Sequence, residues 1–185
     1  MDQAEATSRL LDAADELFYD RGIQAVGMDQ IRSASGVSLK RLYRCFPSKE
    51  RLVVAYLRRR DGRWRAELAG FVDRHRDPEA RVLAVFEWLY EWFTRPGYRG
   101  CAFLNSFGEL STTSPAVAEA ARDHKDLLHR YLAGLAAETA ADDPAALSDQ
   151  LLVLVDGAIS VAAVTANPAA AQHARSAAHA LLPGH

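Results

Sequence analysis

"ASGVSLKRLYRCFPSKERL", residues 34–52, sets five cationic side chains among leucines, a tyrosine and a phenylalanine within nineteen residues, in a 185-residue chain whose net charge is −2. Stepping about 100° per residue from Leu39 places Leu39, Leu42, Tyr43 and Phe46 in one arc and Lys40, Arg41 and Arg44 on the other side. Gly36 provides the tight turn before this segment, Ser38 stands at a capping position, and Pro47 ends it. A helix of about seven residues does not hold by itself, so its apolar arc must pack against neighbouring helices. That leaves the basic side outward. DNA's major groove admits one such helix, in which arginine pairs bidentately with guanine and lysine reaches a guanine edge or a phosphate. Tyr43, at the border of the two arcs, can offer its hydroxyl to a phosphate while its ring packs inward. Lys49, in the first turn of the next helix, brings a further cation toward the strand, beside backbone N–H groups that bind phosphate directly.

The charge is unevenly spread. Residues 1–60 hold eleven Lys/Arg against eight Asp/Glu, and the rest hold eleven against sixteen. Within 38–60 the ratio is eight bases (Lys40, Arg41, Arg44, Lys49, Arg51, Arg58, Arg59, Arg60) to Glu50 alone, a block suited to a polyanion or, as the plainer reading, a solvated helix face. Hydrophobic residues at 49% and charged residues at 25% are globular proportions. No apolar run marks a membrane span and the N-terminus lacks the order of a secretory signal, so a cytoplasmic location is expected. Two cysteines, Cys45 and Cys101, make no disulfide framework, and the six histidines never fall four apart, so no metal is expected. The chain lacks a GxSxG, a P-loop and a dinucleotide fingerprint; no catalytic residue and no cofactor are predicted.

Spacing and caps give an all-α fold of about nine helices. Ala6, Leu10, Ala13, Ala14, Leu17 and Phe18 form one stripe of a helix over 5–20, closed by Gly22. A short helix over about 28–34 and the one after Ser38 complete a three-helix N-terminal unit. Ser48 caps a long helix, about 48–74, that connects a 1–47 helix-turn-helix domain to the remainder, 48–185. Asp77-Pro78, Ser114-Pro115, Asp143-Pro144 and Asn167-Pro168 each pair a capping residue with proline at the first helical position. "RPGYRG", residues 95–100, is a turn cluster that leaves a short helix at about 102–110.

Residues 7–56 resemble the DNA-binding domain of the TetR family of transcriptional regulators. The likeness rests on the Ala-Ala-x-x-Leu-Phe of the first helix, Gly22, Ile31, Ala34, Gly36-Val37-Ser38, Leu42-Tyr43, Phe46 and Ser48-Lys49-Glu50. It implies a homodimer, most often a repressor, that binds palindromic operator DNA through its N-terminal domain and is released by a small-molecule effector bound in its C-terminal domain. Gly27, Met28, Ser38, Lys40, Arg41, Tyr43, Arg44 and Lys49 are then the DNA-contacting candidates. Val26-Gly27 stands where the family often opens its second helix with Ser or Thr, so a backbone amide near Met28 would take that phosphate contact. Leu39 replaces a frequent lysine, and Lys40 and Arg41 replace a small pair, so a different operator preference is expected.

An effector pocket needs a wall of large apolar groups with a few polar ones. The candidates are Phe86, Trp88, Tyr90, Trp92, Phe93, Cys101, Phe103, Asn105, Phe107, His124 and Tyr131. "RGCAFLNSFGEL", residues 99–110, is similar to a Gly-Cys-x-x-x-Asn stretch in one branch of TetR-like proteins in which that cysteine senses electrophiles or oxidants; a packing role for Cys101 is the alternative. Leu151, Leu154, Val155, Ala158, Ile159 and Ala162 make an apolar face that, by the resemblance, is a four-helix dimer interface, with a core inside the chain as the alternative. Two rival functions are a helical thiol enzyme using Cys101 or His124, and an adaptor that binds an acidic protein through the 38–60 block.

Overall fold

Capping chemistry sets the helix boundaries. In the computed structural model, which describes residues 2–183, nine helices and no strand occur among the described residues. α1 (Gln3–Arg21) starts where Asp2 accepts from the Glu5 amide at 2.8 Å, and it stops at Gly22, whose φ of 84° favours glycine. α2 (Met28–Ser35) ends at the left-handed Gly36, and α3 (Leu39–Cys45) follows at once. α4 (Lys49–Val72) begins behind Ser48, which accepts from the Arg51 amide at 3.2 Å. α5 (Pro78–Phe93), α6 (Ala102–Leu110), α7 (Pro115–Glu138), α8 (Pro144–Thr165) and α9 (Ala169–Leu181) complete the chain. Asp77, Ser114 and Asp143 accept from the Ala80, Val117 and Ala146 amides, and Asn167 from the Ala169 amide at 3.0 Å. Ser38 departs from the pattern: its hydroxyl caps nothing, and its carbonyl accepts the Arg41 and Leu42 amides.

The chain forms two units. The first holds the described residues up to Gly62 together with Ala102–Asp123, and the second holds Arg63–Cys101 and the described residues from His124 on. This differs from the division expected at 47/48. The first half of α4 stays with the N-terminal helices because Leu52, Val53, Tyr56 and Leu57 are buried and Tyr56 meets Phe18 edge-on at 5.7 Å. Arg59 and Arg60 also pair with Asp12 and Asp15 of α1, at 2.9 and 2.6 Å.

In the first unit α1, α2 and α3 pack on one another around the enclosed Leu10, Ile31, Val37 and Leu42. In the second, α5 packs on α8 and α9 around Val82, Phe86, Leu89, Leu151, Val155 and Ile159. The turn after α5 seats on α8: the Tyr98 hydroxyl donates to the Ile159 carbonyl at 2.8 Å, and Gly100, at φ 80°, leaves no room for a Cβ, which would lie 2.9 Å from that of Ala163.

α8 corrects two expectations. Leu151, Val155, Ala158, Ile159 and Ala162 are all buried within the chain, so five of the six residues expected at a partner interface are core; only Leu154 remains half-exposed. The helix is apolar nearly all round, and periodicity alone could not say which apolar side turned inward. For the same reason Pro144–Thr165 has the length and apolar composition of a membrane span, although no such run was expected. Its burial against α5 and α9 and its charged Asp149 and Asp156 give it the character of a core helix with a second, uncovered apolar face.

Candidate functional site

The outward surface of α3 is the candidate site. Leu42 is fully buried and Phe46 nearly so, which anchors the helix, while Lys40 and Arg44 are exposed and Arg41 and Cys45 are half-buried. Tyr43 is 47% exposed rather than packed inward, and so is Leu39, which the helical arc had assigned to the core. The exposed surface therefore has a cationic edge, Lys40 and Arg44, beside an edge formed by Leu39 and Tyr43. Ser38, exposed at the start of α3 with its hydroxyl uncommitted to the cap, borders this surface.

The other expected contacts fall differently. Gly27 donates its amide to Gln30 Oε1 at 2.7 Å, so that N–H is already occupied. The Met28 amide stands at the first position of α2, where an α-helix supplies no intrahelical acceptor. Lys49 does not extend outward: its ammonium lies 6.0 Å from the Phe18 ring centroid, and burial pushes its pKa down while the nearby Glu109 carboxylate opposes that shift. The cation expected to reach a phosphate is drawn inward. Arg59 and Arg60 leave the basic block in the same way, held by α1 acids, with the Arg60 guanidinium 3.7 Å from the centre of the Tyr19 ring.

Glu109 was not singled out in the sequence. From the end of α6 its carboxylate accepts from the Ile23 amide at 3.1 Å and the Gln24 amide at 2.8 Å, and the Gln24 side-chain amide donates back to its carbonyl at 2.6 Å. The turn between α1 and α2 is thus tied down by a residue some 85 positions away. Ser114, at the start of α7, similarly donates to Glu50 at the start of α4. No sequence pattern signals such long-range clamps.

The aromatic candidates separate. Trp88 and Trp92, both buried, stack at 5.7 Å; Trp64 meets them edge-on at 5.0 and 5.6 Å and meets buried His124 at 5.6 Å; Tyr98 meets Trp92 at 5.0 Å. Trp64 completes the group and was missed because it lies on the long connecting helix. Phe86, Phe93, Cys101 and Phe103 are buried. Tyr90, Asn105 and Phe107 are exposed and do not belong to a buried wall, because α5 and α6 each turn one side outward. Tyr131 is half-buried beside Asp73, Arg81 and Glu138, and burial pushes its pKa up to about 12. Its hydroxyl and the Trp64 indole N–H, both enclosed, make no hydrogen bond among the described residues.

A three-helix unit with a left-handed glycine turn before a short helix of outward cations is a helix-turn-helix. The family model of bacterial regulatory proteins of the tetR family matches residues 10–56, and that of the tetracyclin repressor-like C-terminal domain matches residues 78–178. The chain belongs to the TetR family. It is similar to an uncharacterised HTH-type transcriptional regulator of Mycobacterium tuberculosis, at 33% identity over 59% of this chain and 66% of that protein. It is also similar to the HTH-type transcriptional activator FasR of Mycolicibacterium smegmatis, at 34% identity over 62% of this chain and 51% of that one. The chain thus spans between half and two thirds of the length of these relatives. The crystal structure of a TetR-family regulator from Streptomyces coelicolor matches with a TM-score of 0.87 at 30% identity, covering 96% of this chain and 94% of that one.

Proposed function

We propose that this protein is a cytoplasmic regulator of transcription that binds a palindromic DNA operator as a homodimer and leaves it when a small molecule binds its second unit. The observation that carries this reading is the outward surface of α3: Lys40, Tyr43 and Arg44 are exposed while Leu42 of the same helix is fully enclosed. Lys40 and Arg44 meet guanine edges or phosphates, Tyr43 and Ser38 donate hydroxyls to phosphate, the Met28 amide serves at the start of α2, and Lys49 contributes its backbone N–H rather than its cation.

The partner surface is the uncovered side of α8 and α9. Val153, Leu154, Gly157, Val161 and Val164 recur at helical spacing, with Val153 71% and Val164 87% exposed, and Leu181 of α9 is 40% exposed. Asp149, Gln150, Val153, Leu154, Ala177 and Leu181 line an almost wholly apolar groove between the two helices. Pairing this face with its own copy gives a twofold dimer, which sets two recognition helices one DNA turn apart, about 34–36 Å, or a multiple of it.

The effector site lies among Trp64, Trp88, Trp92 and His124. Clustered rings, three of them buried, with an enclosed Trp64 indole N–H that makes no hydrogen bond among the described residues, suit a flat, largely apolar ligand carrying a hydrogen-bond acceptor. A ligand that favours a different arrangement of these rings shifts α4, since Trp64 sits on it, and a coupling of about 1–3 kcal/mol is typical of such linkage. Cys101 is buried, which favours packing over sensing. A Ser–His–Asp grouping offers no support for an enzyme: Ser148 Oγ and Asp149 Oδ1 both face His129 Nε2, at 3.2 and 2.8 Å, so the acid cannot orient the ring for the serine.

Selecting bound fragments from random DNA, with and without aromatic metabolites, tests binding, symmetry and release together. The reading expects a palindromic consensus lost on ligand addition; no enriched sequence would reject it. FasR is named an activator, so the direction of regulation comes from placing the selected site before a reporter gene.

A further inference from the structure

Leu39 is the first residue of α3 and stands 47% exposed, whereas Leu42, three positions on, is completely enclosed. Single exposed leucines are ordinary, but this one occupies the end of the recognition helix from which base edges are read. Leu39 and Tyr43 lie about 40° apart around the helix axis, and Lys40 and Arg44 form the adjacent edge at the same separation. On the operator reading, this cationic edge meets a polyanion. On the floor of the major groove a polyanionic duplex offers an aliphatic side chain one apolar partner, the 5-methyl group of thymine.

We propose that Leu39 is a specificity-determining residue that packs on a thymine 5-methyl group, so that each operator half-site carries a thymine opposite the start of α3. The proposal rests on the operator reading above and adds to it the identity of one base. Lys40 and Arg44 supply charge and polar contacts on the neighbouring base pairs and backbone. Leu39 supplies discrimination through apolar contact alone, and its truncation is expected to leave the fold intact because the side chain is 47% exposed and lies outside the buried core.

The test uses the full chain and the duplex it selects from random DNA. Each thymine is replaced in turn, symmetrically in both half-sites, by deoxyuridine, which removes the methyl group and keeps the hydrogen-bonding edge. One thymine per half-site is expected to matter, with an affinity loss of about fourfold per half-site, the worth of one buried methyl. Leu39→Ala is expected to keep the melting temperature and to bind the thymine and uridine duplexes alike. A repeat selection with Leu39→Ala is expected to lose the preference for that thymine. If every uridine substitution is silent, or if Leu39→Ala keeps the wild-type discrimination, the role assigned to Leu39 is wrong while the operator reading stands. If the wild-type chain selects no DNA at all, the operator reading fails and this inference falls with it.

Discussion

Tyr131 shows how a single buried polar atom can bear on stability. Its hydroxyl is enclosed without a partner, a cost that folding carries at every pH below its ionisation. Tyr131→Phe is therefore expected to raise the unfolding free energy by about 1 kcal/mol, measured by urea denaturation near neutral pH. The pH dependence has a definite sign. The folded pKa of about 12 lies above the ordinary 10.0, so the unfolded chain gives up the phenolic proton first. The wild-type protein accordingly loses stability as pH rises from about 10 toward 12, and the phenylalanine variant lacks that component. A fall of equal size in both proteins would contradict the assignment. At this scale the sequence was partly legible: Leu42, Phe46, Lys40 and Arg44 took their expected sides because a basic short helix has few ways to pack. Leu39 and Tyr43 did not, since a seven-residue helix whose first turn protrudes cannot bury its whole apolar arc.

At the scale of elements, the clamp from α6 to the α1–α2 turn is the feature most exposed to test. Glu109→Ala removes the acceptor of two backbone amides, and bonds of this kind to a charged group contribute about 1.5–3 kcal/mol each at most, less where partly exposed. The variant is expected to lose about 1–3 kcal/mol of stability and to show faster hydrogen exchange at Ile23 and Gln24 than at the core amides of α1. Unchanged exchange at those two amides would show that the turn holds itself. The starts of the helices after α4 could be read from caps, prolines and the turn before α6 to within a residue or two, because those signals act locally. The clamp could not, because it joins positions 23 and 109 through tertiary packing. The orientation of α8 was equally hidden: a helix apolar on two sides gives the same periodicity whichever side meets the core. Its resolution is testable, since Ile159→Ala should cost about 2–5 kcal/mol of folding free energy, as a core truncation does, whereas Val161→Glu should leave each chain folded.

For the whole molecule, Val161→Glu belongs to assembly. A carboxylate set into the uncovered apolar face of α8 is expected to convert the proposed dimer to monomer in sedimentation analysis, with operator affinity falling because the two half-sites are then bound independently. A dimer that survives this substitution would place the partner surface elsewhere. The family, the all-helical class and the helix-turn-helix were legible from fifty residues because turn, cap and charge signals coincided there. The aromatic cluster was legible only as a surplus of aromatics, and Trp64, which completes it, carried no signal of its own. The proposed function rests on the outward face of α3. The most direct measurement is the affinity of the selected duplex for wild type, Lys40→Ala and Arg44→Ala across a salt series. Weaker binding is predicted for both variants, with the slope of log affinity against log salt shallower by about one for each phosphate that the variant no longer neutralises. Affinities and slopes equal to those of the wild type would mean that this face does not touch DNA.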